Sequence, residues 1–220
     1  MSIHLSNKRN FILITSHKCA YTTVLKSNKV HLLLRKRFFK WLYYFLYLSL
    51  YRNKTYMLLR NPYERIRSCY FDKVLNCKIL PGKSNKFLKL MVSVDGFNFG
   101  DDLEKNILIL RKVSFEEFAT KMVPFIYNND PHLSLQYNSI SFLKFKTLNI
   151  NIKWRIKKYY KLDQRNQMNE LKELTNINFD IRKNVSPKKN LLWKKNIYDV
   201  IEDIYSKDFD YFNFKKTRPF

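Results

Sequence analysis

"FILITSHKCAYTTVLK", residues 11–26, is the stretch whose reading decides the fold. Its first five residues form a short continuous apolar run, as in a strand buried on both faces. A polar turn follows at 16–21. Thr22 or Thr23 then offers an N-cap to a helix read, with one break, through "TTVLKSNKVHLLLRKRFFKWLYYFLYL". A strand–turn–helix junction presents backbone N–H groups with no intrahelical partner and the positive end of the helix dipole. Lys18 adds a full charge there, and Thr22 and Thr23 add hydroxyl donors. These are the parts of a phosphate cradle, but not of the G-x-x-x-x-G-K-[ST] kind, because no glycine lies nearby. An ordinary capped helix with an exposed lysine is the alternative for the same residues.

Outward from that junction, "TYMLL" at 55–59 reads as a second buried strand, and Pro62 suits the first turn of a helix behind an Asn61 cap. Arg60 then stands at the carboxyl end of the strand, where open α/β sheets bind ligands. Ser68 follows eight residues later on the helix "PYERIRSCYFDKVLN". A guanidinium and a hydroxyl in these places suit one phosphate, the guanidinium forking over two oxygens. A surface arginine and a solvent-facing serine are the plainer reading.

Strand-helix-strand-helix order predicts an α/β chain with a small central parallel sheet flanked by helices. Residues 1–220 read as a single domain, with a loop-rich insertion at 78–100 that holds all three glycines. Ser114 and Glu117 carry a capping-box pattern in "SFEEFATKMV". "ISFLKFKT" reads as a strand, "NQMNELKELTNI" as an amphipathic helix, and "LLWKKNIYDVIEDIYSKDF" as one closing helix. His4 falls in a polar tail and His31 in mid-helix on this reading.

The net charge is +24, from 42 basic and 18 acidic residues, which favours anionic partners. Lys, Asn, Ile, Tyr and Phe are abundant throughout, so much of that charge is equally a solvated face. The three cysteines, Cys19, Cys69 and Cys77, have the spacing of neither a zinc site nor a disulfide framework, and reduced thiols are expected. The most apolar stretch, "FFKWLYYFLYLSLY" at 38–51, is interrupted by Lys40. It falls short of the roughly 20 residues that span a bilayer. It reads as a buried or partner-facing helix, with peripheral membrane contact beside "RKR" as the alternative.

Taken together, "HKCAYTT" resembles the P-K-x-G-x-[ST]-T loop of sulfotransferases that use 3′-phosphoadenosine-5′-phosphosulfate. "LLRNPYERIRSCYFDK" resembles their R-[DN]-P-Y-E-R-x-x-S-x-Y-x-x-K segment. "SFEEFATKMV", "NNDPHLSLQ" against a D-x-H-x-x-x-Q-like pattern, and "IYSKDFDYFNF" are similar to later stretches of the carbohydrate (Golgi-type) branch, in the same order. The resemblance implies a P-loop-like sulfotransferase fold and sulfuryl transfer to an acceptor hydroxyl of a carbohydrate or glycolipid, without a metal. It implies that Lys18, Thr22 and Thr23 hold the 5′-phosphosulfate and that Arg60 and Ser68 hold the 3′-phosphate. Ser186, Lys188 and Lys189 of "NVSPKK" are weaker additions from a late loop over the nucleotide. His17, Ala20 and Tyr21 depart from the pattern, since glycine would give close approach and a free φ at this turn.

The chemistry expected is in-line displacement at sulfur, with Lys18 neutralising charge on the departing oxygen. His132 is the candidate base, because its ordinary pKa suits proton removal near neutrality. Substrate positioning is its alternative role, and Glu116, Glu117 and Asp130 are the other options for the base. Two further readings stand beside the enzyme. One is a basic nucleic-acid-binding protein, suggested by "WRIKKYYK" at 154–161. The other is a sulfotransferase-like binder without catalysis. Under the enzyme reading no nucleic acid is expected as partner. Golgi members of the branch sit behind a membrane anchor; none is read in this sequence, so the expected location is the cytoplasm, with peripheral membrane contact as an addition.

Overall fold

The first residues of the chain, read above as a polar tail, form a strand. β1 (Ser2–Ser6) lies antiparallel to β2 (Ile12–Thr15), with His4 opposite Leu13. Ile3, His4 and Ser6 are all buried there, so polar side chains fill interior positions and hide the strand from a polarity argument. The computed structural model describes residues 2–6, 11–16, 18–27, 29–32, 54–77, 86–145, 150–153, 156–179 and 191–218. The apolar stretch at 38–51 lies outside them.

The helix after β2 spans only Tyr21–Lys26. It stops because Ser27 turns back, its backbone N–H and its hydroxyl both donating to the Val24 carbonyl, the hydroxyl at 2.6 Å. The chain then enters β3 (Val30–Leu32), antiparallel to β1. His31 is therefore a strand residue, and the long helix expected from Thr22 onward does not form in the described part. Residues 30–32 pair with β1 instead of adding turns to a short helix, which by itself is marginal.

β4 (Thr55–Leu59) runs parallel to β2, as the sequence implied. β5 (Ser141–Phe145) is a strand as read, but it pairs antiparallel with β6 (Ile150–Lys153) in a separate two-stranded sheet. The third parallel strand is β7 (Lys158–Lys161), beside β4. The main sheet has the order β3-β1-β2-β4-β7. It is thus mixed: three parallel strands with an antiparallel pair at one side, which corrects the expected parallel sheet. The coarser expectation, α/β with a small sheet flanked by helices, matches the observed architecture.

Two compact units divide the chain, Met1–Asn61 with Gln136–Val185 and Pro62–Leu135 with Ser186–Phe220. In the first, alternate residues of three strands (Leu13; Tyr56 and Leu58; Tyr160) share one face of the sheet. That face buries Val24 of the short helix and Leu171 of the Arg165–Thr175 helix. The rings of Tyr56 and Tyr160 meet edge-on at 5.9 Å. Ile3, Ile12, Ile14, Met57 and Leu59, on the opposite face, are buried too. Strands covered on both sides give the continuous apolar runs seen in the sequence.

The second unit is helical in its described residues. Pro62 opens the helix Pro62–Cys69, which widens into a π-helical stretch at Tyr70–Leu75. Lys86–Val92 is a helix inside the region expected to be loops, and it buries Phe87, Leu88 and Met91. Asp102 caps Leu103–Lys112 by accepting from two first-turn N–H groups. The Ser114–Glu117 capping box forms as expected. The closing helix is two, Lys195–Ile204 and Ser206–Phe212, with the break at Tyr205. Tyr63 packs edge-on against Tyr198 and Trp193, and Phe115 continues the aromatic core from Trp193.

Candidate functional site

The loop between β2 and the Tyr21–Lys26 helix is built without glycine, yet it takes a conformation that glycine usually supplies. Lys18 has φ 67° and Ala20 has φ 54°, with Cys19 and Tyr21 on the ordinary negative side. Non-glycine residues at positive φ are uncommon, and two within three residues are a marked local choice. Within the turn the Cys19 N–H donates to the Ser16 carbonyl at 3.2 Å. Ala20 is also the residue before the helix, and it provides no side-chain cap. Thr22 and Thr23 therefore sit in the first turn rather than at the cap. Both are half-buried, as is Lys18.

Arg60 follows β4 directly, at the carboxyl end of the strand next to β2. Its guanidinium Nη1 donates to the Lys18 carbonyl at 3.1 Å. The lysine and arginine singled out in the sequence are therefore brought together by parallel pairing of their strands. Both stand at the carboxyl ends of their strands, the side on which open α/β sheets bind ligands.

One residue of this site had no role assigned from sequence. Gln136, fully buried, donates from Nε2 to the Arg60 carbonyl at 2.7 Å and accepts at Oε1 from the Arg60 N–H at 3.0 Å. The same oxygen lies within hydrogen-bond reach of Ser16 Oγ at 3.3 Å and Cys19 Sγ at 3.2 Å, which are 2.9 Å from each other. With one proton each, the hydroxyl and the thiol fill two of these three contacts at a time. The only signal for Gln136 in the sequence was its place at the end of "NNDPHLSLQ". Deep to the loop, His4 is fully buried on β1, with Nε2 3.0 Å from Thr15 Oγ1 and its ring against Tyr21. Its Nδ1 has no hydrogen-bond partner. Burial pushes its pKa down to about 4, so it is neutral here.

In the helical unit, Ser68 is half-buried on the Pro62–Cys69 helix. His132 lies in the turn after Ile126. Its Nδ1 is 3.0 Å from Asp130 Oδ1, and its backbone N–H donates to the same oxygen at 2.7 Å. Burial alone would raise the Asp130 carboxyl. The hydrogen bonds from the His132 ring and backbone N–H outweigh it, and the net shift is downward. A carboxylate on Nδ1 selects the tautomer with its proton there and the lone pair on Nε2. The next residue is anchored from the core: the Leu133 carbonyl accepts from Tyr205 Oη at 2.6 Å and from Arg65 Nη2 at 3.3 Å. Arg65 is itself buried beside Asp208, 3.7 Å away, and under the Tyr205 ring. The other carboxylates considered as bases are engaged. Glu116 binds Lys194 and Asn196, and Glu117 closes the capping box.

His17, Ser186, Lys188 and Lys189 lie outside the described residues. Among the described residues no group of three or more His, Cys, Asp or Glu side chains is placed to hold a metal ion. Nor is any described helix long and apolar enough to cross a membrane. The fold and site define an α/β protein with a basic, glycine-free loop at its strand ends. No protein-family model, curated protein or solved structure matches the chain.

Proposed function

We propose that this chain is a sulfotransferase that moves a sulfuryl group from 3′-phosphoadenosine-5′-phosphosulfate to an acceptor hydroxyl, with a carbohydrate as the acceptor class. The observation that carries the reading is the Arg60 guanidinium bonded to the carbonyl of Lys18, at the ends of two adjacent parallel strands. It supports the pairing of the two segments that resemble the donor-binding motifs.

In the proposed reaction the acceptor oxygen forms a bond to sulfur while the bond from sulfur to the 5′-phosphate oxygen breaks. The electron pair of that bond leaves with the phosphate. Lys18 stabilises the charge growing there, and Thr22 and Thr23 donate to the same group. Arg60 and Ser68 are assigned to the 3′-phosphate. His132 takes the acceptor's proton on Nε2, the atom that Asp130 leaves basic. The acceptor is assigned from the resemblance alone, and cytoplasmic location remains part of the proposal.

The nucleic-acid reading has less to stand on. It rested on "WRIKKYYK", whose last four residues form β7. Tyr160 is buried against Tyr56, and Lys158 is ion-paired to Glu170, so these groups are spent on internal contacts rather than presented to bases.

The test is transfer of labelled sulfate from the donor to a panel of glycans, with Lys18→Ala in parallel. Transfer by the wild type and its near-complete loss in the variant are expected. Robust transfer by Lys18→Ala removes Lys18 from the mechanism. Absence of any binding of adenosine 3′,5′-bisphosphate to the wild type removes the reading itself.

A further inference from the structure

Where β2 leaves the sheet, its neighbour loses a partner. β2 ends at Thr15, which pairs with Leu58 of β4. Leu59 directs its carbonyl toward β7, where it accepts from Leu162 N–H at 2.9 Å. Arg60, next along, therefore directs its N–H and C=O to the β2 side, and no strand remains there. Buried backbone groups in that position must find another partner. The Gln136 carboxamide supplies both: it accepts from the Arg60 N–H and donates to the Arg60 C=O. It thus stands in for the missing strand residue. The oxygen that takes the Arg60 N–H also lies within hydrogen-bond reach of Ser16 Oγ and Cys19 Sγ of the departing loop. One side chain, fully buried, fixes the loop of Lys18 to the backbone of Arg60.

We infer that Gln136 is a positioning residue: its carboxamide sets the separation of the Lys18 loop from Arg60, and through it the affinity for the donor nucleotide. The donor half of this inference rests on the function proposed above. The clamp half rests on hydrogen bonds alone. A carboxamide offers donor and acceptor on one planar group at this spacing, and among side chains only a protonated carboxyl does the same. Methionine keeps the volume and flexibility but makes none of these bonds. Leucine, shorter and branched, likewise makes none of them.

The experiment uses full-length wild type, Q136M and Q136L, with adenosine 3′,5′-bisphosphate as probe. Amide hydrogen exchange reads the clamp without any ligand. In Q136M the Arg60 amide should exchange about tenfold faster or more, because its acceptor is gone, while the Ile14 and Met57 amides keep their protection. Titration calorimetry reads the donor half. Both variants should bind the bisphosphate about tenfold or more weakly, with donor KM raised and acceptor KM unchanged, a split that general loss of stability does not produce. If Q136M does not fold, Q136L carries both measurements, with the Arg60 amide exchanging faster and affinity reduced. Unchanged Arg60 exchange in Q136M overturns the clamp. Unchanged bisphosphate affinity in a folded variant overturns the positioning role. If wild type itself fails to bind the bisphosphate, the donor half falls with the functional reading, and the exchange result alone decides the clamp.

Discussion

Lowering the pH should destabilise this protein through His4, starting above the range in which most carboxylates titrate. The imidazole is fully buried between the sheet and the Tyr21 ring. Its neutral form is satisfied at Nε2 by Thr15, with the Nδ1 lone pair left unpartnered, a tolerable cost. Protonation would add a charge and an Nδ1–H with no acceptor. Hence the folded pKa is pushed down to about 4 from 6.5. The unfolded chain binds the proton below pH 6.5 and the folded chain does not until about pH 4, so stability present above 6.5 drains away as pH falls through that window. The loss is about 2 kcal/mol between pH 7.5 and 5.0 and about 3 kcal/mol once pH is below 4. Asp and Glu carboxyls ordinarily titrate near 3.8 and 4.5, below most of this interval. Urea unfolding should be followed at half-unit steps from pH 7.5 to 5.0 for wild type and His4→Gln, whose amide nitrogen can reach Thr15 but cannot titrate. The stability difference between the two should shrink or reverse by about 2 kcal/mol toward acid. A pH-independent difference refutes the buried, neutral imidazole.

Three other outcomes follow from the same structure. Arg65→Met should cost about 3–5 kcal/mol, because it removes the buried guanidinium 3.7 Å from the buried Asp208 carboxyl; the double change with Asp208→Leu should cost less, and equal losses in chemical denaturation contradict the pairing. Ala20→Gly relieves a left-handed alanine, worth about 1–2 kcal/mol. Greater unfolded-state entropy takes back about 0.4–1 kcal/mol, so thermal and urea unfolding should show a neutral to slightly stabilised protein, and a clear loss contradicts the φ of 54°. On the proposed function, Asp130→Asn should lower kcat for sulfate transfer about tenfold to hundredfold while bisphosphate affinity stays the same, and a change confined to affinity removes the Asp130–His132 pair from proton transfer.

The legible parts of the chain were those in which one local rule acts alone. β2 and β4 announced themselves because strands buried on both faces are continuously apolar, and Pro62 and the Ser114–Glu117 box announced helix starts because caps are local chemistry. Lys18 and Arg60 were found at strand ends for the same reason, since position in the sheet follows once the strands are known. The failures share a different cause. β1 was missed because His4 and Ser6 are buried polar groups whose partner, for His4, lies on the next strand; only pairing with Thr15 makes that burial tolerable. The helix after β2 was read past Ser27 into residues 30–32, which form a strand, because its end is set by Ser27 and by β3 docking on β1, a contact to residues far back in the chain; residues 33–48 of that reading lie outside the described ones. Gln136 is the sharpest case. Its side chain answers a backbone defect created by two strands that end at Thr15 and Leu59, and a glutamine has no reason to be noticed until those ends are seen side by side. The same logic explains why the loop holds its shape without glycine. Two left-handed residues cost energy at Lys18 and Ala20, and the buried contacts from Ser16, Cys19 and Arg60 to one carboxamide are what over-determine the conformation and keep it.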